Sequence, residues 1–153
     1  MKFKLILVMM LAAICFASCS NDDDVSNAKQ VEATYKGYTS AVFKYSSTPI
    51  VTDSEAIVVK ASSNNIVNVT LISKTWGTAL INNAAVVKSD SVYTVSGSGT
   101  ITMTGHTGGT SSYDCTLVAT IKTKTSATYV ITIPSLMGGT VVTFSTGSLP
   151  SDE

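Results

Sequence analysis

Cys19 is the residue in this chain best placed for covalent chemistry. It follows two small residues, and the segment Phe16-Ala17-Ser18-Cys19 has the form of a lipobox. In a lipobox, small side chains admit a lipoprotein signal peptidase and the cysteine thiol carries a diacylglycerol. An ordinary signal peptidase cutting after Ala17 or Ser18 is the alternative route. Elsewhere the inventory is thin. His106 is the single histidine and lies in the glycine-rich stretch Gly105–Thr110, where an exposed, solvated side chain is expected. No cysteine or histidine pair has the spacing of a zinc site, so no metal or other cofactor is implied. A serine nucleophile would need a Gly-x-Ser-x-Gly elbow, and Gly97-Ser98-Gly99 reads instead as a hairpin turn. Paired carboxylates for acid–base work would have to come from Glu32, Asp53, Glu55, Asp90 and Asp114, and the sequence singles out no pair. No catalytic residue is assigned, and the chain reads as a non-enzyme.

The residues before Cys19 read as an address. Lys2 and Lys4 form a positive start, and Leu5–Ile14 is an apolar run. That run is too short to span a bilayer core, which takes about 20 residues. Residues 1–18 are therefore read as a lipoprotein signal peptide and 19–30 as a lipidated acidic tether. Ser20-Asn21-Asp22-Asp23-Asp24 sets an acidic cluster beside the lipid. It is similar to the export signal of surface-displayed lipoproteins in Bacteroidota-type Gram-negative bacteria, and a solvated, self-repelling tether is the plainer reading. The implied location is the outer membrane, held by lipid on Cys19 and exposed at the surface, with the membrane as a partner.

Beyond the leader the chain has one domain's worth of residues. Its basic residues are all lysine, and no basic stripe marks a nucleic-acid face. Cys115 is the one thiol left, so no disulfide staples the fold, and it sits on an apolar strand face where a buried, inert role is expected.

Ser, Thr, Val, Ile and Tyr dominate, with period-two alternation and no useful helical period. Strands are expected at Ala33–Tyr45, Ser54–Ala61 and Ile66–Ile72, with one irregular strand across Thr75–Lys88. Val92–Val95 and Thr100–Thr104 read as two short strands joined through Ser96-Gly97-Ser98-Gly99. The clearest alternation runs from Tyr113 to Ile121, followed by Thr128–Ile133 and Thr140–Phe144. Eight or nine short strands without a cysteine pair favour a barrel over an immunoglobulin-type sandwich, and closure removes edges prone to aggregate. The expected fold is all-β, a single antiparallel barrel of about eight strands. Six aromatic residues fall on its inward faces: Tyr35, Phe43, Tyr45, Tyr113, Tyr129 and Phe144. They are the candidate lining of a small-molecule site, with ordinary core as the plainer reading.

The opening Ala33-Thr34-Tyr35-Lys36-Gly37 resembles the Gly-x-Tyr-x-Gly start of the calycin-like β-barrel domain of Bacteroidota lipoproteins, with Ala33 at the place of the first glycine. The end, through Val142-Thr143-Phe144-Ser145, is similar to that family's closing strand, with Gly147 one residue later than the pattern has it. The resemblance covers residues 31–147, leaving 148–153 as a C-terminal tail, and implies a lipocalin-related barrel without implying an activity. Analogy with lipocalins implies a small apolar or glycan-like ligand. The alternative is a structural or accessory module of an outer-membrane assembly, with a filled barrel and an exposed apolar patch.

Overall fold

The computed structural model describes residues 25–151. The leader, Cys19 and the acidic run at 22–24 lie outside the described residues. A five-residue helix, α1 (Asn27–Val31), precedes eight strands. These are β1 (Ala33–Phe43), β2 (Ser46–Ser63), β3 (Ile66–Ser73), β4 (Gly77–Ser89), β5 (Val92–Thr104), β6 (Thr110–Thr123), β7 (Ser126–Ile133) and β8 (Thr140–Thr146). Each strand pairs antiparallel with the next, and β8 returns to β1, closing a barrel in simple meander order. Closure leaves few backbone edges unpaired. No helix among the described residues is long and apolar enough to cross a membrane.

Alternation produces the core. Tyr35, Ile57, Leu71, Ala79, Ile101 and Tyr113 stand opposite one another in register around six successive strands. All but Tyr113 are fully buried. A second row runs from Val95 through Ala119 and Tyr129 to Phe144 and Thr39. Cys115 is a free, buried thiol, and burial raises its pKa.

Four local expectations needed correction. β2 begins eight residues earlier than Ser54, because Ser46 and Ile50–Thr52 pair with β1 across register shifts, although the side chains of Ser46–Asp53 are largely exposed and do not alternate. β5 is one continuous strand through Ser96-Gly97-Ser98-Gly99, with no hairpin turn. The glycines serve close approach there, since a Cβ on Gly99 would lie 1.9 Å from the Leu80 carbonyl oxygen. Trp76 falls in the β3–β4 turn, not in a strand. The end of the expected tether, finally, is helical. Ser26 caps α1, its hydroxyl accepting from the Lys29 N–H at 3.2 Å.

Candidate functional site

The two ends of the barrel are closed differently. At one end α1 lies across the mouth, burying Ala28 and Val31, and the Ala28 N–H donates to the Asn64 carbonyl at 3.0 Å. Glu32 fixes the exit of this segment. Its carboxylate accepts from the Ala61 N–H at 2.7 Å and from Lys29 Nζ at 3.0 Å. The hydrogen bond from Ala61 and the Lys29 ammonium lower its pKa. At the opposite end, Trp76 from the β3–β4 turn and Leu136 from the β7–β8 loop are both buried. The Thr140 hydroxyl pins that loop by donating to the Leu136 carbonyl at 2.9 Å.

Between these caps the interior is occupied by the chain's own side chains. Tyr35 packs edge-on against Tyr129, with ring centroids 5.4 Å apart, and Tyr129 against Phe144 at 5.8 Å. These are favourable geometries for aromatic pairs. The Tyr35 hydroxyl donates to the Val31 carbonyl at 2.7 Å, tying α1 to the core. Among the described residues, the buried Tyr129 hydroxyl and Trp76 indole nitrogen make no hydrogen bond of good geometry, with the Tyr35 hydroxyl lying beside that of Tyr129. Desolvation, with Tyr35 alongside, pushes the Tyr129 hydroxyl far above the ordinary tyrosine range; Tyr35 is raised by burial as well.

The six aromatic residues read from the sequence therefore do not form one lining. Tyr35, Tyr129 and Phe144 join in a buried cluster, and Tyr113 is partly buried against the core. Phe43 is only half-buried at the end of β1, and Tyr45 is 75% exposed. The reason is that β1 ends at Phe43 and the chain reverses at Lys44–Tyr45, so alternation stops before Tyr45. Lys44 Nζ lies 5.8 Å from the Tyr45 ring centroid. Four grooves on the outer surface are lined by other residues, and not by Tyr35, Tyr129 or Phe144.

Of the five carboxylates that the sequence offers without singling out a pair, one is buried. Glu55 is 2% exposed and lies opposite Gly37 on the inward face. Its carboxylate accepts from the Ser73 hydroxyl at 2.6 Å, the Lys74 N–H at 3.1 Å and the Thr39 hydroxyl at 3.4 Å. Ser73 in turn accepts from the Thr75 and Trp76 N–H groups. This network holds the turn that carries Trp76 into the mouth. The signal was present, since Glu55, Ile57 and Val59 share one phase of the alternation. Asp53, Asp90, Asp114 and His106 are all exposed. Among the described residues no group of three His, Cys, Asp or Glu side chains is placed to hold a metal ion.

The outer wall offers more. In register, Val118 lies beside Val130, Val130 beside Thr143, and Thr143 beside Ser40, which faces Val51. A parallel row runs Thr116, Thr132, Val141, Val42. These nine positions span five strands without a charge. Val42, Val51 and Val118 are 45–52% exposed. A groove of about 690 Å³ runs along this band between Tyr38, Val51 and Leu149.

Sequence and fold comparison agree with this architecture. The model of the calycin-like β-barrel domain matches residues 31–147, and the chain belongs to that family. It is similar to a solved structure from Bacteroides fragilis, a candidate outer membrane protein. The TM-score is 0.64 at 25% identity, over 82% of this chain and 47% of that one. The chain thus corresponds to about half the length of that neighbour. No curated protein matches it.

Proposed function

We propose that this protein is a non-enzymatic barrel module that acts through its outer surface. It is held in the outer membrane by lipid on Cys19 and displayed outside the cell. The observation that carries the reading is the interior. Tyr35, Tyr129 and Phe144 pack on one another where a carrier would keep its ligand, and both mouths are covered by buried side chains. An eight-stranded barrel is just wide enough for its own side chains to fill it. The uncharged Val/Thr band then becomes the surface most suited to contact. Support for the location comes from the lipobox at Cys19 and from the likeness to a candidate outer membrane protein. One acyl chain anchors only marginally, so at least two are required for stable attachment.

The test of the anchor is metabolic labelling with an alkyne fatty acid, with protease added to whole cells. The wild-type chain is expected to take label and be digested from outside, and Cys19→Ser to take none. Equal labelling of both rules out lipid on Cys19. The test of the outer-face reading is titration with a fluorescent fatty acid. No saturable change is expected, and stoichiometric uptake would restore the carrier reading.

A further inference from the structure

β8 stops before the barrel wall does. Its pairing with β1 ends at Thr146 opposite Gly37, so no β8 residue lies opposite Ala33–Lys36. Its pairing with β7 ends at Ser145 opposite Thr128. Gly147, at a φ of 100°, turns the chain out of the wall, and its N–H donates to the Lys36 carbonyl at 3.1 Å. The Thr146 hydroxyl holds the β7 side, accepting from the Ala127 N–H and donating to the Thr125 carbonyl, both at 3.0 Å. What remains is a notch of about 310 Å³ at the α1 end, lined by Thr34, Lys36, Lys124, Thr125, Thr146 and Gly147. Two lysines and three threonines face it, with no carboxylate among them. Lys36 and Lys124 are exposed, and neither forms an ion pair among the described residues. Lys36 also borders a groove that holds Asp53 and Glu55, outside ion-pair distance of both. The strand ends around the notch add the exposed Lys60, Lys88 and Lys122. Against them stand Asp90 and Glu32, and Glu32 is already paired with Lys29. The opposite end has Lys44 and Lys74 with Asp53 and Glu55, so the excess of positive charge is confined to the α1 end. Ammonium groups act on phosphate as point charges, and hydroxyls supply further donors.

We propose that this notch binds the phosphate of a lipid headgroup, so that the barrel stands on the membrane by its lysine-bearing end. The occupant follows from where the chain enters the fold. Cys19 lies six residues before Val25, a span of at most about 20 Å. Lipid on Cys19 therefore keeps the α1 end close to the bilayer, and the opposite end faces away. The choice of a bilayer phosphate rests on the proposed anchor, whereas the affinity of the notch for phosphate does not. Each lysine near anionic headgroups adds attraction that fades within a Debye length, so the end that holds most of the lysines is the one that gains from contact. The acidic run Asp22–Asp24 belongs to the same short stretch and is the rival occupant of these lysines.

The experiment uses the full chain and follows how fast each lysine is acetylated by a water-soluble reagent, read by mass spectrometry. In neutral detergent, glycerol phosphate is expected to slow Lys36 and Lys124 several-fold and to leave Lys44 and Lys74 unchanged. Lys36→Gln with Lys124→Gln should weaken glycerol phosphate binding roughly tenfold by calorimetry. Lys60→Gln with Lys88→Gln, at the same end but outside the notch, should change it little. In vesicles, Lys36 and Lys124 should react more slowly in phosphatidylcholine with phosphatidic acid than in phosphatidylcholine alone. No slowing in either setting overturns the proposal, and so does equal loss of binding in the two double variants. Slowing by glycerol phosphate only, in a chain that floats with the vesicles, makes a free phosphate compound the ligand and overturns the lipid assignment. Faster acetylation of Lys36 and Lys124 without phosphate, once Asp22→Asn, Asp23→Asn and Asp24→Asn are introduced together, makes the tether the occupant and also overturns it. A chain that fails to float removes the anchor and with it the bilayer assignment, and the detergent arm still decides the notch.

Discussion

Removing one oxygen atom from Tyr129 should make this protein more stable. The hydroxyl is fully buried, and although the Tyr35 hydroxyl lies beside it, no hydrogen bond of good geometry joins the two. A desolvated, unsatisfied hydroxyl costs about 1–3 kcal/mol. Tyr129→Phe removes that cost and leaves a void about the size of one oxygen, which takes back a few tenths of a kcal/mol. The net expectation is a gain of about 1 kcal/mol, or a few degrees in Tm. Tyr35→Phe, the same change 5.4 Å away by ring centroid, should do the opposite. It deletes the 2.7 Å bond to the Val31 carbonyl and leaves that carbonyl buried, a loss of about 1–2 kcal/mol. The assay is equilibrium urea unfolding followed by fluorescence of Trp76, the single tryptophan and a buried one. If Tyr129→Phe loses stability alongside Tyr35→Phe, the hydroxyl has an interior partner and the reasoning fails.

Further outcomes follow from the same geometry. Because burial raises the Tyr129 pKa in the folded state above the ordinary value of 10.0, the group adds no pH dependence to stability well below that pH, and stability is lost as pH rises above it and the unfolded chain alone ionises. Wild type should therefore lose about 1.4 kcal/mol per pH unit more than Tyr129→Phe above about pH 10; parallel curves in urea titrations at pH 9 to 11 would contradict this. Glu55→Leu strands the Ser73 hydroxyl and the Lys74 N–H, and should cost about 3 kcal/mol. Glu55→Gln, which keeps one acceptor, should cost less; equal urea midpoints for the two would rule out the network. Gly37→Ala should be severely destabilising, by about 3 kcal/mol or more. Its Cβ would lie 1.9 Å from the Ser145 carbonyl oxygen on β8, at the seam that closes the barrel, and a folded, stable variant would show that the seam can shift. Cys115 should react with a thiol reagent only as fast as the domain unfolds, and rapid modification of the native protein would place the residue at the surface.

Much of the fold is legible because burial on one face writes itself into every second residue. Tyr113 through Ile121 gave β6 and its inward face together, and the register with β5 and β7 follows it. Legibility fails where that cause is absent. Ser46–Asp53 buries neither face, so its backbone pairing leaves no pattern in side-chain type. Gly97 and Gly99 carry the local signature of a turn, yet their role is set by how closely β4 passes, a tertiary fact. Helix α1 is too short for any period to show. Tyr45 falls in phase with Phe43 and looks inward, but the chain has already turned there. Glu55 was readable from phase alone, since its carboxylate shares the inward face with Ile57 and Val59, and a charge there requires the donors that Thr39, Ser73 and Lys74 provide.

The most direct test of the filled barrel is diffraction or xenon NMR on the native protein under xenon pressure. Xenon enters dry apolar cavities of suitable size without needing a specific ligand. No occupied site is predicted among Tyr35, Tyr129 and Phe144, while Leu117→Ala, which opens a space in the same core, should admit one atom. Xenon bound beside those three rings in the wild type would contradict the account.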